Sequence, residues 1–173
     1  MKKDISLWQL AGFAFTSLGG TLLHYLYEWT GDSVIVAPFS GVNESTWEHM
    51  KLLFFPLFIF ALIQSRFFKE DKGFWCTKLY GTVFGLLSIP ILFYTANGAF
   101  GKTPDWINIA IFFVSAAIVF LLESHLFKNS FFCRRAHTAF AVFCIIGALF
   151  VLFTFLTPQI PLFADPVTGS YGI

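Results

Sequence analysis

Five segments of mostly apolar residues follow one another along this chain, and each is about as long as a helix that crosses a membrane. A transmembrane helix needs about 20 such residues. The chain is also 57% hydrophobic and only 12% charged over 173 residues, which is too apolar for a soluble domain of this size. The segments cover residues 7–27, 50–67, 74–96, 106–127 and 137–156.

These segments predict an all-α fold, an integral membrane bundle of five transmembrane helices in a single domain that covers residues 1–173. No strand-like alternation competes with them, and a membrane barrel would need many more, shorter segments. Residues 157–173 are polar and rich in turn residues, so we expect a tail that folds over one end of the bundle.

Basic residues are distributed unequally between the two ends of the predicted spans. Nine of the eleven lie at one end and two, Lys51 and Lys102, at the other. Cytoplasmic loops carry the excess of Lys and Arg, which predicts the N-terminus inside and the C-terminus outside. The nine are Lys2, Lys3, Arg66, Lys69, Lys72, Lys78, Lys128, Arg134 and Arg135. Most acidic residues lie at or near the outer end, where their negative charge would attract cations.

Local signals predict where two helices begin and where two bend. Ser45, with Glu48 three residues later, fits a capping box at the start of the second helix. Thr103-Pro104-Asp105 fits an N-cap, a proline at the first helical position and an acid in the first turn of the fourth. Pro56 and Pro90 lie inside the second and third spans and predict kinks there.

Small residues predict a close helix contact in the third span. Gly81 and Gly85 form a Gly-x-x-x-Gly pattern, which lets two helices approach closely. Packing within the chain is the favoured interpretation, and an oligomer that forms through Gly81 and Gly85 is the alternative.

The three cysteines predict no disulfide framework. Cys76 and Cys133 fall at the margins of loops on the same side, and Cys144 lies inside the fifth span. No Cys-x-x-Cys motif occurs, so we expect no thiol redox chemistry of that type.

The segment 43–51 concentrates charge at the mouth of the second span, where charge is costly unless it is paired. His24 and Glu28 are four residues apart at the outer end of the first helix, so they share one face. The connecting loop returns the chain to the same membrane side, so both sets of residues lie at one level. The predicted ligand-binding residues are His24, Glu28, Glu44, Glu48 and His49.

Three interpretations of this outer cluster are open. The leading one is an outward-facing polar pocket that binds or transports a small polar or cationic solute, or relays protons. The second is a divalent metal such as zinc held by residues from His24, Glu44, Glu48 and His49, in a metal-dependent, hydrolase-like intramembrane enzyme. The third is structural, with Glu48 as a capping acid and Lys51 paired with Glu48 or Glu44. A structural subunit of a membrane complex is a further alternative. No catalytic residue is assigned and no cofactor is predicted beyond that metal.

The inner end carries a weaker cluster, Glu123-Ser124-His125 with His137. Adjacent helical residues point in different directions, so Glu123, Ser124 and His125 cannot form a relay by themselves. No nucleophile elbow, Walker loop or dinucleotide fingerprint occurs, and nothing indicates a nucleic-acid partner. The basic loop at 66–72 is typical of a segment that contacts membrane lipid.

Two blocks carry a resemblance to a known family. They are the Asn-Glu-Ser-x-Trp-Glu-His block at 43–49 and the Asp-Pro-x-Thr-Gly-x-Tyr-Gly ending at 165–172. With His24, Tyr27 and Pro56, they resemble a family of small bacterial multi-span membrane proteins of unknown function. The resemblance implies a multi-pass protein of the bacterial inner (cytoplasmic) membrane and implies no activity. A looser likeness, to intramembrane hydrolases of the ceramidase and progestin-receptor type, rests on scattered Ser and His alone. Those proteins have seven spans and a three-His zinc site.

Overall fold

Five α-helices and a short C-terminal tail make up the computed structural model, which describes residues 4–101, 104–129, 133 and 135–173. Within these residues no β-strand occurs, and Ala164 and Tyr171 form an isolated bridge in the tail. The all-α prediction is therefore confirmed. The helices are α1 (Ile5–Trp29), α2 (Thr46–Ser65), α3 (Phe74–Phe100), α4 (Asp105–Lys128) and α5 (Ala136–Phe155), followed by a 3-10 turn at Pro161–Phe163.

Four helices in the described part of the chain are long and apolar enough to cross a membrane, where the sequence predicted five. They are α2, α3, α4 from Trp106 onward, and α5. Helix α1 has 25 residues, so its length suffices, but polar residues such as Gln9 and Thr16 lower its mean hydropathy. The four apolar helices indicate a membrane protein.

Helix α1 turns its polar side inward and its large apolar side outward. Its buried residues are Gln9, Gly12, Thr16, Ser17 and Gly20, none of which has a large apolar side chain. Leu7, Leu10 and Leu18, by contrast, are between 62% and 73% exposed. A water-soluble helix would show the opposite arrangement. The outward surface of α1 therefore suits a lipid environment.

Helix α2 is the centre of the bundle. It contacts α1, α3, α4 and α5, and 67% of its apolar window is buried, against 39% or less in the other three apolar helices. Phe54 on α2 packs against Phe143 and Phe150 on α5, with ring centroids 5.3 and 5.2 Å apart. A helix that is apolar on all sides is expected in such a central position.

The Gly-x-x-x-Gly surface of α3 packs against α4 within the chain. A Cβ atom at Gly81 would lie 2.6 Å from Cγ of Glu123, and one at Gly85 would overlap the side chain of Val119. Only glycine permits so close an approach of the two helices. Association of two copies through Gly81 and Gly85 stays a prediction.

A disulfide joins Cys76, near the start of α3, to Cys133, just before α5. The two Cα atoms are 6.1 Å apart although 57 residues separate them in sequence. The expectation of no disulfide was therefore wrong, because a count of three cysteines says nothing about which helix ends meet. Cys144 on α5 is free.

The disulfide predicts a simple labelling pattern. If the purified protein is denatured and treated with a thiol-reactive polymer, we expect one label, on Cys144, because the other two thiols are bonded. After reduction we expect three labels, seen as mass shifts on a gel. Three labels on the unreduced protein would show that Cys76 and Cys133 are not paired, and Cys144→Ser serves as the control that removes the first label.

Candidate functional site

Two imidazoles and a carboxylate meet where α1 approaches the start of α2. His24 lies near the end of α1, Glu44 in the turn before α2, and His49 in the first turn of α2. The two carboxylate oxygens of Glu44 each face a different ring, at 3.6 Å from Nε2 of His24 and 3.6 Å from Nε2 of His49. The ring centroids of the two histidines are 5.9 Å apart. Glu44 therefore lies between the two imidazoles.

Backbone and side-chain bonds hold the turn that carries Glu44. The side-chain oxygen of Asn43 accepts from the backbone N–H of Ser45 at 2.9 Å, and its amide nitrogen donates to the carbonyl of Gly172 in the tail at 3.2 Å. The backbone N–H of Gly41 donates to the carbonyl of Leu23 on α1 at 3.3 Å. The turn is thus fixed to both α1 and the tail.

The ring of His49 has a defined orientation and tautomer. Its Nδ1 lies 2.9 Å from the backbone oxygen of Ser45, and a carbonyl oxygen can only accept. Nδ1 therefore carries a proton and donates it. In the neutral ring, Nε2 then presents its lone pair towards the Glu44 carboxylate.

A cleft of about 500 Å³ opens beside this cluster, between α1 and α4. His24, Glu44 and His49 line it together with polar groups on α1 and α4, Thr21 and Asn108. Pro166 and Val167 of the tail form part of its wall, as expected for a tail that covers this end. The remaining lining residues are Gly20, Tyr25, Leu52, Ile109, Phe112 and Phe113.

Glu48 and Lys51 form a buried ion pair beside the cleft and do not line it. Their side chains are 2.5 Å apart and almost completely shielded from solvent. The Lys51 ammonium also donates to the carbonyl of Ala37 at 2.8 Å and to the hydroxyl of Thr154 on α5 at 3.1 Å. This pair therefore ties α2 to the α1–α2 loop and to α5.

The predicted capping box at α2 is half present. Ser45 is the N-cap, and its hydroxyl accepts from the backbone N–H of Glu48 at 3.3 Å. The Glu48 carboxylate accepts from the backbone N–H of Val42 at 3.1 Å, not from that of Ser45. At α4, Pro104 is the N-cap, one position after the predicted one, and Thr103 lies outside the described residues.

Of the five predicted binding residues, the structure brings three together. His24, Glu44 and His49 share the cleft, Glu48 is engaged by Lys51, and Glu28 is exposed on α1 and is not a lining residue. Among the described residues, no group of three His, Cys, Asp or Glu side chains is arranged to hold a metal ion.

A second buried ion pair, Lys78 with Glu123, was missed by the sequence analysis. Nζ of Lys78 lies 2.6 Å from the carboxylate of Glu123, and the two side chains are 1% and 0% exposed. The rings of Phe60, Phe120 and Phe74 surround the ammonium, with centroids at 5.4, 5.6 and 5.9 Å. Lys78 is therefore not a loop cation, as the charge count assumed, but a buried partner inside α3.

The distance of each residue from the end of its helix could have predicted this pair. Lys78 is the fifth residue of α3, and Glu123 lies five residues before the end of α4, so the two sit at one level on antiparallel neighbours. His125 and His137 are exposed instead, and Nε2 of His125 contacts the side-chain amide of Asn129 at 3.1 Å. Glu123 therefore forms an ion pair with Lys78 and is not part of a histidine relay.

Together these features define a helical membrane protein with a polar cleft at one end of the bundle and a buried ion pair near the other. The chain belongs to a family of unknown function (DUF6512), whose sequence model matches residues 1–173. We found no match among curated proteins or among solved structures.

Proposed function

We propose that the protein is a five-span protein of the bacterial inner membrane whose outer cleft binds a small polar or cationic solute and passes it inward. One observation carries this proposal. The carboxylate of Glu44, held between two imidazoles, faces a cleft of about 500 Å³. Pockets of a few hundred Å³ with a few convergent polar groups are typical of small-molecule sites.

The charge distribution supports the orientation with the cleft outside. Lys78 and Lys51 are both buried in ion pairs, so the loop cations number eight at one end and one, Lys102, at the other. The disulfide of Cys76 and Cys133 lies at the basic end and argues against this orientation, because cytosolic thiols are usually kept reduced. The charge bias is the stronger argument, since it rests on many residues.

The outward surface of α1 supports a fifth span. Its 25 residues would extend about 37 Å, more than the roughly 30 Å of a bilayer core. Its exposed leucines would then face lipid, and its polar side would face the bundle.

Buried polar groups below the cleft support passage of the solute. The side chains of Gln9, Thr16 and Ser17 are buried on α1 without a hydrogen-bond partner among the described residues. They lie on the helix that carries His24, further from the cleft. Unpaired polar groups inside a membrane protein are costly and often mark a solute pathway.

Thermal unfolding of the purified protein with a panel of small solutes tests the binding step. We expect at least one cationic or polar solute to raise the midpoint by about 5–10 °C at roughly 100 times its Kd. Glu44→Gln should cut this shift to about half or less, because the substitution removes the charge that the cleft presents.

Glu28→Gln is the matched control, because Glu28 is an exposed carboxylate at the same end that does not line the cleft. It should leave the shift unchanged. A panel in which no solute stabilises the protein, or in which Glu44→Gln retains the full shift, would refute the proposal. Stabilisation by Zn²⁺ alone that is lost in His24→Ala would favour the metal-dependent enzyme instead.

A further inference from the structure

We infer that the solute is an organic amine, whose protonated ammonium group is held by Glu44 and whose apolar body lies along Phe112 and Phe113. This inference rests on the proposed function and adds the chemical class of the ligand.

The polar end of the cleft is rich in hydrogen-bond acceptors. Glu44 offers two carboxylate oxygens, and the tautomer of His49 leaves Nε2 as an acceptor. The hydroxyl of Thr21 donates to the carbonyl of Ser17 at 2.9 Å, so towards the cleft its oxygen offers lone pairs. The charge at this end is negative when both imidazoles are neutral.

Asn108 is a polar residue on the opposite wall of the cleft. It lies on α4 and lines the same cleft, and its side-chain oxygen is buried without a hydrogen-bond partner among the described residues. A buried amide oxygen without a partner costs free energy. This oxygen is shielded from the cleft, so a ligand N–H can donate to it only when the side chain turns into the cleft.

The acceptors face one another and need a donor between them. Nε2 of His49 and the nearer oxygen of Glu44 are 3.6 Å apart, and both carry lone pairs. A primary ammonium supplies three N–H donors and a compensating charge on a single atom. An anion would be repelled here, and a neutral polyol would present as many acceptors as donors.

The rest of the cleft requires an apolar body. Leu52, Phe112 and Phe113 line it beyond the polar end, with Val167 of the tail. A bare metal ion or ammonium ion would leave most of the roughly 500 Å³ unfilled. An ammonium group attached to a hydrocarbon or aromatic chain can donate to the acceptors at the polar end of the cleft and pack against the apolar residues in the rest of it.

Two sources could supply such a group, a free amine or the headgroup of an aminophospholipid. Ile109 and Phe113 line the cleft and are 58% and 38% exposed on the apolar outer surface of α4. The cleft is therefore accessible from the lipid side as well as from water. The two sources share the ammonium chemistry, and the experiment separates them.

The test compares pairs of probes that differ in the ammonium group. The soluble pair is 2-phenylethylamine and 2-phenylethanol, added to the purified protein in detergent. The lipid pair is phosphatidylethanolamine and phosphatidylcholine, which has no N–H donors, in otherwise identical nanodiscs. Each probe is titrated against the wild type, Glu44→Gln and Glu28→Gln, with the thermal midpoint as the readout.

We expect one ammonium probe to stabilise the wild type and Glu28→Gln, and its partner without N–H donors to bind at least roughly tenfold more weakly. Glu44→Gln should weaken the ammonium probe by a similar factor. If the two soluble probes differ in how much they raise the thermal midpoint, the ligand is a free amine. If only the two lipids differ, the ligand is an aminophospholipid.

Other outcomes overturn the inference. Equal stabilisation by 2-phenylethanol and 2-phenylethylamine, or an amine effect that survives in Glu44→Gln, would exclude recognition of the ammonium group. If other solutes of the broader panel bind and neither amine source does, the amine class fails while the solute-binding cleft stands. If no solute and no lipid stabilises the protein, both proposals fail.

Discussion

Replacing Lys78 with methionine is expected to lower the free energy of unfolding by about 3–5 kcal/mol. The substitution would leave the Glu123 carboxylate buried among helices without the ammonium that lies 2.6 Å from it. The other oxygen of that carboxylate already lacks a hydrogen-bond partner among the described residues, so nothing nearby replaces the lost donor. The thermal midpoint in detergent should fall by roughly 10 °C.

The double variant Lys78→Met with Glu123→Leu separates this explanation from a simple packing defect. Replacing a buried ion pair by apolar residues is often close to neutral, so most of the stability should return. Lys128→Met is the matched control, since Lys128 is exposed at the same end of the bundle. A Lys78→Met protein as stable as the wild type would contradict the buried pair.

Replacing Gly85 with leucine is expected to destabilise the bundle by about 2–3 kcal/mol through overpacking. A Cβ atom at this position would overlap the Val119 side chain, and it would lie 3.3 Å from the backbone oxygen of Ser115. A backbone atom cannot move aside without shifting α4. The free energy of unfolding, measured with denaturant in detergent, reports the effect.

Gly98→Leu provides the comparison for this variant, because a Cβ atom at Gly98 would meet nothing within 4 Å beyond its chain neighbours and its own helix backbone. It should leave stability nearly unchanged. The milder Gly85→Ala should be partly rescued by Val119→Ala, which removes the methyl group that the new Cβ meets. If Gly85→Leu and Gly98→Leu behave alike, α3 and α4 do not pack as described.

The sequence predicted three of the residues that line the cleft, because their positions follow from patterns within single segments. His24 lies five residues before the end of α1, and Glu44 and His49 bracket the start of α2. A loop that returns the chain to the same side must bring these positions to one level. The same argument placed Glu28 and Glu48 with them, because spacing along a helix does not say which face meets the neighbouring helix.

The missed features all depend on contacts between distant segments. The pair of Lys78 and Glu123 spans 45 residues, and the disulfide of Cys76 and Cys133 spans 57. Asn108 was not singled out, because an asparagine in an apolar helix has no distinctive pattern. Its position in the cleft depends on how α4 is rotated against α1.

By itself, the sequence determined that this chain forms long apolar helices and where most of them begin and end. Length, hydropathy and capping residues act within a single segment, so they can be read without knowledge of its neighbours. Only the tertiary structure decided which charges are buried as pairs, which line the cleft, and that the buried side of α1 is polar. Those outcomes depend on the rotation of each helix about its axis, which packing against the other helices sets.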